Sequence, residues 1–309
     1  MRRRIVVITL AMLLLLLAVS VGSGLYMLQY ALSPEPHRSD VDSCLYRQFA
    51  RYPETRQWWD SLQRCHAVAD TFLLMPNGER HHALYINGGV GRTAFIVHGW
   101  RNCSIDFLYL ARMYSADFGY NVVLPDLHAH GMSDGDAIGM GWHDKEDVLR
   151  WITLFRPDSV VVHGVSMGAA TTMMLSADSM PSSVRWVRLV EDCGYTSVWD
   201  EFAWQLKCEF GLPTFPVLYA ASALCKLKYG WRFGEASALA CVQRSDYPML
   251  FIHGTRDTFV PTAMVFRLYS AKAEKKQLWL APGSEHAQAY KDHREEYRHR
   301  VDAFLRSSW

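Results

Sequence analysis

From Thr93 onward, short apolar runs alternate with longer amphipathic ones, and this rhythm limits what the chain can fold into more than any other feature. Strands are predicted at residues 93–97, 121–124, 159–162, 186–190, 249–252 and 277–280, each dominated by Val, Ile, Leu or Phe. Helices are predicted over residues 105–117, 145–155, 169–177, 262–271 and 289–306. Such alternation predicts an α/β fold with a mostly parallel, doubly wound sheet. Ahead of it, residues 67–75 and 81–86, joined by Pro76-Asn77-Gly78, read as two antiparallel strands.

One spacing breaks the rhythm. About 58 residues separate the strand ending at Val190 from the one starting at Met249, where a simple crossover needs far fewer. The excess predicts a helical cap insertion over about residues 194–246. It holds Trp199, Phe202, Trp204, Phe210, Phe215, Tyr219, Tyr229, Trp231 and Phe233, which would line a pocket or pack the cap. Half of the 309 residues are apolar, enough for one large core over residues 67–309.

The N-terminus has a different character. Three arginines, Arg2 to Arg4, precede residues 5–34, which carry no charged side chain. As a helix, residues 5–28 would run roughly 36 Å at about 1.5 Å per residue, enough to cross a hydrocarbon layer of about 30 Å with some tilt. Residues 1–32 are therefore expected to anchor the chain in a membrane, with the arginines holding the N-terminus in the cytoplasm. The alternative is a signal peptide cut after Ala18 and Ser20 or after Val21 and Ser23, giving a secreted protein. Either way the domain that follows lies outside the cytoplasm. Residues 33–66 read as a linker, over 33–40, and a short amphipathic helix, over 52–65, that packs on the domain or lies on the membrane surface. With 32 basic and 31 acidic residues, and no basic block after Arg4, nucleic acid is not an expected partner.

Seven cysteines, at 44, 65, 103, 193, 208, 225 and 241, are consistent with an oxidising compartment, and their odd number leaves at least one unpaired. Spacing selects no pairing, and no C-x-x-C pair points to zinc. Buried free thiols account for the same residues equally well.

Chemistry concentrates at the strand ends. G-x-S-x-G occurs twice, around Ser133 (Gly131 to Gly135) and around Ser166 (Gly164 to Gly168). Context selects Ser166 as nucleophile: a strand precedes it and a helix follows, the sharp turn that lifts a serine oxygen above a sheet. Ser133 lies between loops. Gly164 and Gly168 remove Cβ atoms where strand and helix backbones come close. A serine hydroxyl needs a base, and His286 sits after the last strand and ahead of the last helix, where the base belongs. The acid that orients it is assigned to Asp257, on a glycine turn after the strand at 249–252; Asp192, after the preceding strand, is the competing carboxylate. Negative charge on a substrate oxygen would meet the backbone amides of Met167, following the nucleophile, and Trp100, after the strand at 93–97.

The segments Phe95-Ile-Val-His-Gly, Pro125-Asp-Leu-His-Ala-His-Gly-Met-Ser-Asp-Gly, His163-Gly-Val-Ser-Met-Gly-Ala, Phe251-Ile-His-Gly-Thr-Arg-Asp and Gly283-Ser-Glu-His together resemble the α/β-hydrolases. Within them they look like the serine aminopeptidase-like or monoacylglycerol-lipase-like branch, and in particular bacterial hydrolases with one N-terminal membrane segment. The resemblance covers about residues 67–308. It implies a lid, no cofactor, and hydrolysis of an acyl ester, thioester or amide. A carboxylic ester is the expected substrate; a peptidase or amidase of the serine aminopeptidase-like type is the alternative, and a non-catalytic membrane-tethered binding protein is the alternative of another class. One stretch departs from the pattern: Asp126-Leu-His128-Ala-His130-Gly131 stands where relatives often read Asp-x-Arg-Gly-His-Gly. Asp126, His128 and His130 are expected to be hydrogen-bonding groups and not metal ligands. Residues 87–93, glycine-rich but without the lysine of a phosphate-binding loop, are expected to be a turn.

Overall fold

Eight strands, β1 (Val68–Leu74), β2 (Arg80–Ile86), β3 (Arg92–Val97), β4 (Asn121–Pro125), β5 (Ser159–Val165), β6 (Trp186–Asp192), β7 (Met249–Gly254) and β8 (Lys276–Ala281), form one sheet in the order β1-β2-β4-β3-β5-β6-β7-β8. The computed structural model describes residues 2–36, 40–89 and 91–309. Met1, residues 37–39 of the predicted linker and Val90 of the predicted turn lie outside the described residues. β1 pairs antiparallel with β2, and β2 antiparallel with β4; every other pairing is parallel. The central strands β5, β6 and β7 are buried almost throughout, which is why they read as continuous Val, Ile and Leu runs. At the outer edge, β1 has no fully buried residue along its length.

The helices are α1 (Arg2–Leu32), α2 (Val41–Arg51), α3 (Glu54–Arg64), α4 (Leu108–Arg112), α5 (Asp144–Phe155) and α6 (Met167–Leu175). They continue with α7 (Val198–Phe210), α8 (Val217–Tyr229), α9 (Ala238–Val242), α10 (Ala263–Ala271), α11 (Ala289–Asp292) and α12 (Arg294–Arg306). Two predicted helices are composites. Residues 105–117 begin with a 3₁₀ turn (Ser104–Phe107) and end in a π-turn (Met113–Asp117) around α4. Residues 289–306 break at His293, whose Nε2 donates to the carbonyl of Pro282 at 2.8 Å.

The described chain divides into two compact units. The larger holds residues 34–196 and 237–309, including the whole sheet. In it α3 buries Trp59 while Trp58 and Leu62 pack on the core, so the helix predicted at 52–65 covers the domain. The preceding helix α2 contributes Cys44 to the same core, and its N-terminus is capped by Asp40, whose carboxylate accepts from Ser43 N at 3.1 Å.

The smaller unit joins the segment through Ser33 to Ser197–Ala236 of the insertion. α1 is long and apolar enough to cross a membrane by length and composition, and Ile5 to Leu17 are exposed. Further along, Ser20, Gly24, Leu28 and Leu32 form a buried stripe at every fourth residue. α8 packs along α1, and a Cβ on Gly24 would lie 2.9 Å from the Ala221 amide nitrogen and 3.1 Å from Ala220 Cβ. Small residues there let the two helices approach closely. Tyr30 adds a hydrogen bond from its hydroxyl to Glu209 (3.3 Å) and an edge-on contact with Phe210 (5.9 Å between centroids). Much of the aromatic content of the insertion packs on itself: Phe202 and Trp231 against Phe233, Trp199 against Tyr219.

Candidate active site

β5 ends at Val165 and α6 begins at Met167, leaving Ser166 alone to reverse the chain. Its φ of 57° and ψ of −117° lie where L side chains are strained. Two close approaches force that turn. A Cβ on Gly164 would fall 2.0 Å from the Gly168 carbonyl oxygen, and one on Gly168 would fall 2.0 Å from the Val97 carbonyl oxygen at the end of β3. Ser166 N donates to the Asp192 carbonyl at 2.8 Å, tying the turn to the end of β6.

The loop after β8 brings His286 over this serine. Its Nε2 lies 2.8 Å from Ser166 Oγ, and its Nδ1 lies 2.7 Å from Asp257 Oδ2. A carboxylate only accepts, so Nδ1 carries the proton and Nε2 is left to accept from the serine hydroxyl. The turn after β7 holds Asp257 firmly: its Oδ1 accepts from Phe259 N (3.0 Å) and Val260 N (2.9 Å). Burial pushes the Asp257 carboxyl up, but hydrogen bonds from His253 and His286 outweigh it and hold the group below the usual aspartate range. The two loops are laced by Thr255 N to the Ala281 carbonyl (3.0 Å) and Arg256 N to the Ser284 carbonyl (2.9 Å). A methyl on Gly254 would lie 2.3 Å from the Ser284 carbonyl oxygen.

His253, which the motif reading passed over, supports Asp257 from below. Fully enclosed on β7, its Nε2 lies 2.9 Å from the Val260 carbonyl and 3.3 Å from Asp257 Oδ2. The only available signal was its place in Phe251-Ile-His253-Gly, one residue inside the strand end.

Asp192 sits elsewhere. Its Oδ2 accepts from the Tyr297 hydroxyl at 2.9 Å, and burial raises its pKa to about 6. Tyr297 in turn accepts from His163 Nε2 (2.9 Å), whose Nδ1 accepts from the Tyr114 hydroxyl (3.0 Å). Burial drops the His163 pKa to about 3, which keeps the imidazole neutral in this chain of donors. The network holds the floor beneath the elbow through the backbone of Asp192.

The loop after β3 approaches from the other side. A Cβ on Gly99 would lie 3.5 Å from Ser166 Cβ, so the residues leading into Trp100 run beside Ser166. Two histidines shape this loop: buried His98 accepts from Leu127 N (3.0 Å), and His130 accepts from Arg101 N (3.1 Å). Met167, at the head of α6, has an amide with no intrahelical acceptor, as every first-turn amide does.

The departing stretch after β4 is thereby accounted for. Asp126 takes His82 Nδ1 (2.7 Å), Ser104 N (2.7 Å) and Met132 N (2.9 Å); His128 Nδ1 contacts the Ala137 carbonyl (2.8 Å). Asp126, His128 and His130 thus face three different sets of partners. Ser133 is buried, donates to the Asp126 carbonyl (2.6 Å) and accepts from His82 N (2.9 Å).

A mostly parallel eight-stranded sheet with a strained serine turn at the C-terminal end of β5 defines an α/β-hydrolase. The family model described as "Alpha/beta hydrolase family" matches residues 94–300, and the chain belongs to that family. It is 31% identical to the Bacillus subtilis protein YqkD over 218 residues, which is 69% of this chain and 70% of that protein. It is 27% identical to Escherichia coli O157:H7 YfhR over 194 residues, 61% of each. Among solved structures, an esterase from Pyrococcus furiosus superposes with a TM-score of 0.62 at 22% identity, covering 77% of this chain and 91% of that one. An esterase from Exiguobacterium antarcticum superposes with a TM-score of 0.57 at 17% identity, covering 77% and 100%. At such identities these likenesses concern the fold.

Proposed function

We propose that the chain is a serine hydrolase that cleaves carboxylic esters through an acyl-enzyme, with Ser166 as nucleophile, His286 as general base and acid, and Asp257 as the orienting carboxylate. The continuous line from Ser166 Oγ through the His286 ring to Asp257, at 2.8 and 2.7 Å, carries this reading. In the first half-reaction Ser166 Oγ attacks the acyl carbonyl and its proton passes to His286 Nε2. The Met167 and Trp100 amides receive the oxyanion, and His286 then protonates the departing alcohol. In the second, water gives its proton to His286 and attacks the acyl group, releasing a carboxylic acid and restoring Ser166. Asp257 stays ionised throughout, and its low pKa in a buried turn suits that role. The choice of ester over amide draws on the two esterases whose fold the chain shares.

A fluorophosphonate probe tests the reading, because it labels only an activated serine. Labelling at Ser166, with turnover of short-chain acyl esters above that of aminoacyl amides, is the expected result. An unlabelled folded protein would make it a binding protein on a hydrolase fold, and faster amide turnover would make it an amidase.

The apolar helix α1 we assign as the membrane anchor, with Arg2 to Arg4 in the cytoplasm and the hydrolase domain outside it. Retention of the full-length chain in membranes after alkaline extraction is the expected outcome. Release at full length would refute the anchor, and release of a shortened chain would identify a signal peptide.

A further inference from the structure

Two cysteines that lie far apart in the sequence meet beside the loop that runs past the nucleophile. Cys44 faces the core from α2, and Cys103 follows Trp100 by three residues in the loop after β3. Their Sγ atoms are 3.3 Å apart, and the residues are 4% and 6% exposed. Bonded sulfurs stand about 2.05 Å apart, so closure requires a shift of little more than about 1 Å. Both backbones are held in place by hydrogen bonds. Asp40 caps the helix that carries Cys44, Cys103 N donates to Asp106 Oδ2 at 3.0 Å, and Ser104 N donates to Asp126 Oδ1 at 2.7 Å.

The pair is also prepared for reaction. Arg47 Nη2 donates to Cys44 Sγ at 3.1 Å, and Cys103 donates its S–H to the same sulfur. The hydrogen bond from Cys103, with help from Arg47, holds the Cys44 thiol below its ordinary pKa, whereas serving as that donor, together with burial, pushes Cys103 up. A thiol with a lowered pKa beside a second thiol is the arrangement in which one sulfur attacks first and the other resolves. A cavity of about 340 Å³, lined by Arg47, Arg101 and Asp106 together with both cysteines, gives a small reagent access.

We propose that Cys44 and Cys103 form a disulfide that fastens α2 to the loop after β3. The oxidant is a disulfide, small-molecule or carried by a dithiol oxidoreductase. Cys44 thiolate attacks one of its sulfurs, that S–S bond breaks, and one thiolate leaves; Cys103 then loses its proton, attacks Cys44 sulfur in the mixed disulfide and expels the second. The two protein thiols are oxidised by two electrons and the oxidant's disulfide is reduced to two thiols. The bond closes a long loop, since 59 positions separate the cysteines, so it restricts the unfolded chain strongly. Cys65 and Cys208 are both exposed, have no cysteine sulfur paired with them among the described residues, and serve as internal controls.

The test uses the full-length protein in detergent, purified reduced and then equilibrated with glutathione buffers of rising oxidised fraction. Free thiols are capped with a maleimide and unreduced peptides are read by mass spectrometry. The expected result is a Cys44–Cys103 cross-linked peptide, two fewer maleimide adducts per chain, and a thermal unfolding midpoint several degrees above that of the reduced protein. Cys44→Ser and Cys103→Ser should each lose the cross-link and show the same midpoint in reduced and oxidised buffer. Full maleimide labelling of both cysteines at every buffer ratio would overturn the proposal, as would Cys44 joined to Cys65 or Cys208, or a midpoint lowered by oxidation. One equivalent of zinc retained by the reduced protein, protecting these two thiols from the maleimide, would overturn it in favour of a metal site with Asp106.

Discussion

The two G-x-S-x-G segments share a pattern and crowded glycines but differ in what they do with the serine. Around Ser166 the backbone reverses between β5 and α6, φ is positive, and the hydroxyl lies 2.8 Å from an imidazole. Around Ser133 the glycines serve a loop: a Cβ on Gly131 would lie 2.1 Å from the Asp126 carboxylate, and the serine hydroxyl is consumed by the Asp126 carbonyl and the His82 amide. The same five-residue spelling therefore sets a hydroxyl against an imidazole in one place and makes a structural tie in the other. What separates them is whether a strand end and a helix start impose the strained turn.

The largest effect that would sharpen this contrast is on turnover. On the proposed function, Ser166→Ala should abolish probe labelling and reduce ester hydrolysis by something like 10⁵- to 10⁶-fold, as loss of the nucleophile does in serine hydrolases. Ser133→Ala should leave labelling and kcat within a factor of about three, because its partners are backbone groups remote in role from proton transfer. Comparable loss from both substitutions would erase the distinction.

Next comes the pair of carboxylates. Asp257→Asn should cost about 10⁴-fold in kcat with the fold retained, because an amide in that position favours the wrong imidazole tautomer. Asp192→Asn keeps the backbone carbonyl that receives Ser166 N, and its side chain meets Tyr297, not His286, so its loss in kcat should be smaller by at least about two orders of magnitude. Steady-state kinetics on one activated ester, with circular dichroism to check folding, decide it; the reverse ranking would move the acid to β6.

On stability the roles invert. Ser133→Ala should lower unfolding free energy by about 1–3 kcal/mol, since it strands a buried amide and a buried carbonyl. Ser166→Ala should be neutral or stabilising, because it removes only a hydroxyl at a position strained for function. Denaturant titrations of the two variants measure the difference, and equal destabilisation would contradict it.

The last expected effect concerns the floor below the elbow. Glu191, fully buried, has a pKa raised by burial from 4.5 to about 8, and it accepts a hydrogen bond from Gly194 N at 3.0 Å. A carboxyl raised on folding holds its proton more tightly in the native state. Its contribution is therefore complete below pH 4.5 and is lost as the pH rises toward about 8. Asp192 behaves in the same sense from 3.8 to about 6. Thermal midpoints of the wild type should fall across that window more steeply than those of Glu191→Gln. Parallel curves would show that Glu191 does not titrate with folding.

Much of this was legible in order along the chain. The alternation from Thr93 to the last helix specified strands within a residue or two at most ends, because buried parallel strands and their crossover helices carry their period in nearest neighbours. Gly164, Ser166 and Gly168 were readable because a close backbone approach excludes Cβ atoms whatever surrounds it. The choice of Asp257 followed from its turn one strand before His286, and the geometry brings those two side chains together.

Other features depended on partners far away in sequence. Nothing near His82 announces that it will bind Asp126, 44 positions on. His253 resembles any strand histidine until Asp257 lies against it. α2 went unpredicted because its apolar residues Val41, Leu45 and Phe49 are only partly buried and, with buried Cys44, acquire meaning only from the core they cover. Likewise the packing of α1 on α8 rests on Gly24 and Ala221, small residues whose value is the space they leave for a helix almost two hundred positions away. Local period and steric exclusion are written in adjacent residues and so were determined by the sequence alone. Which buried polar group or sulfur meets which was decided only when folding brought distant segments within hydrogen-bonding range.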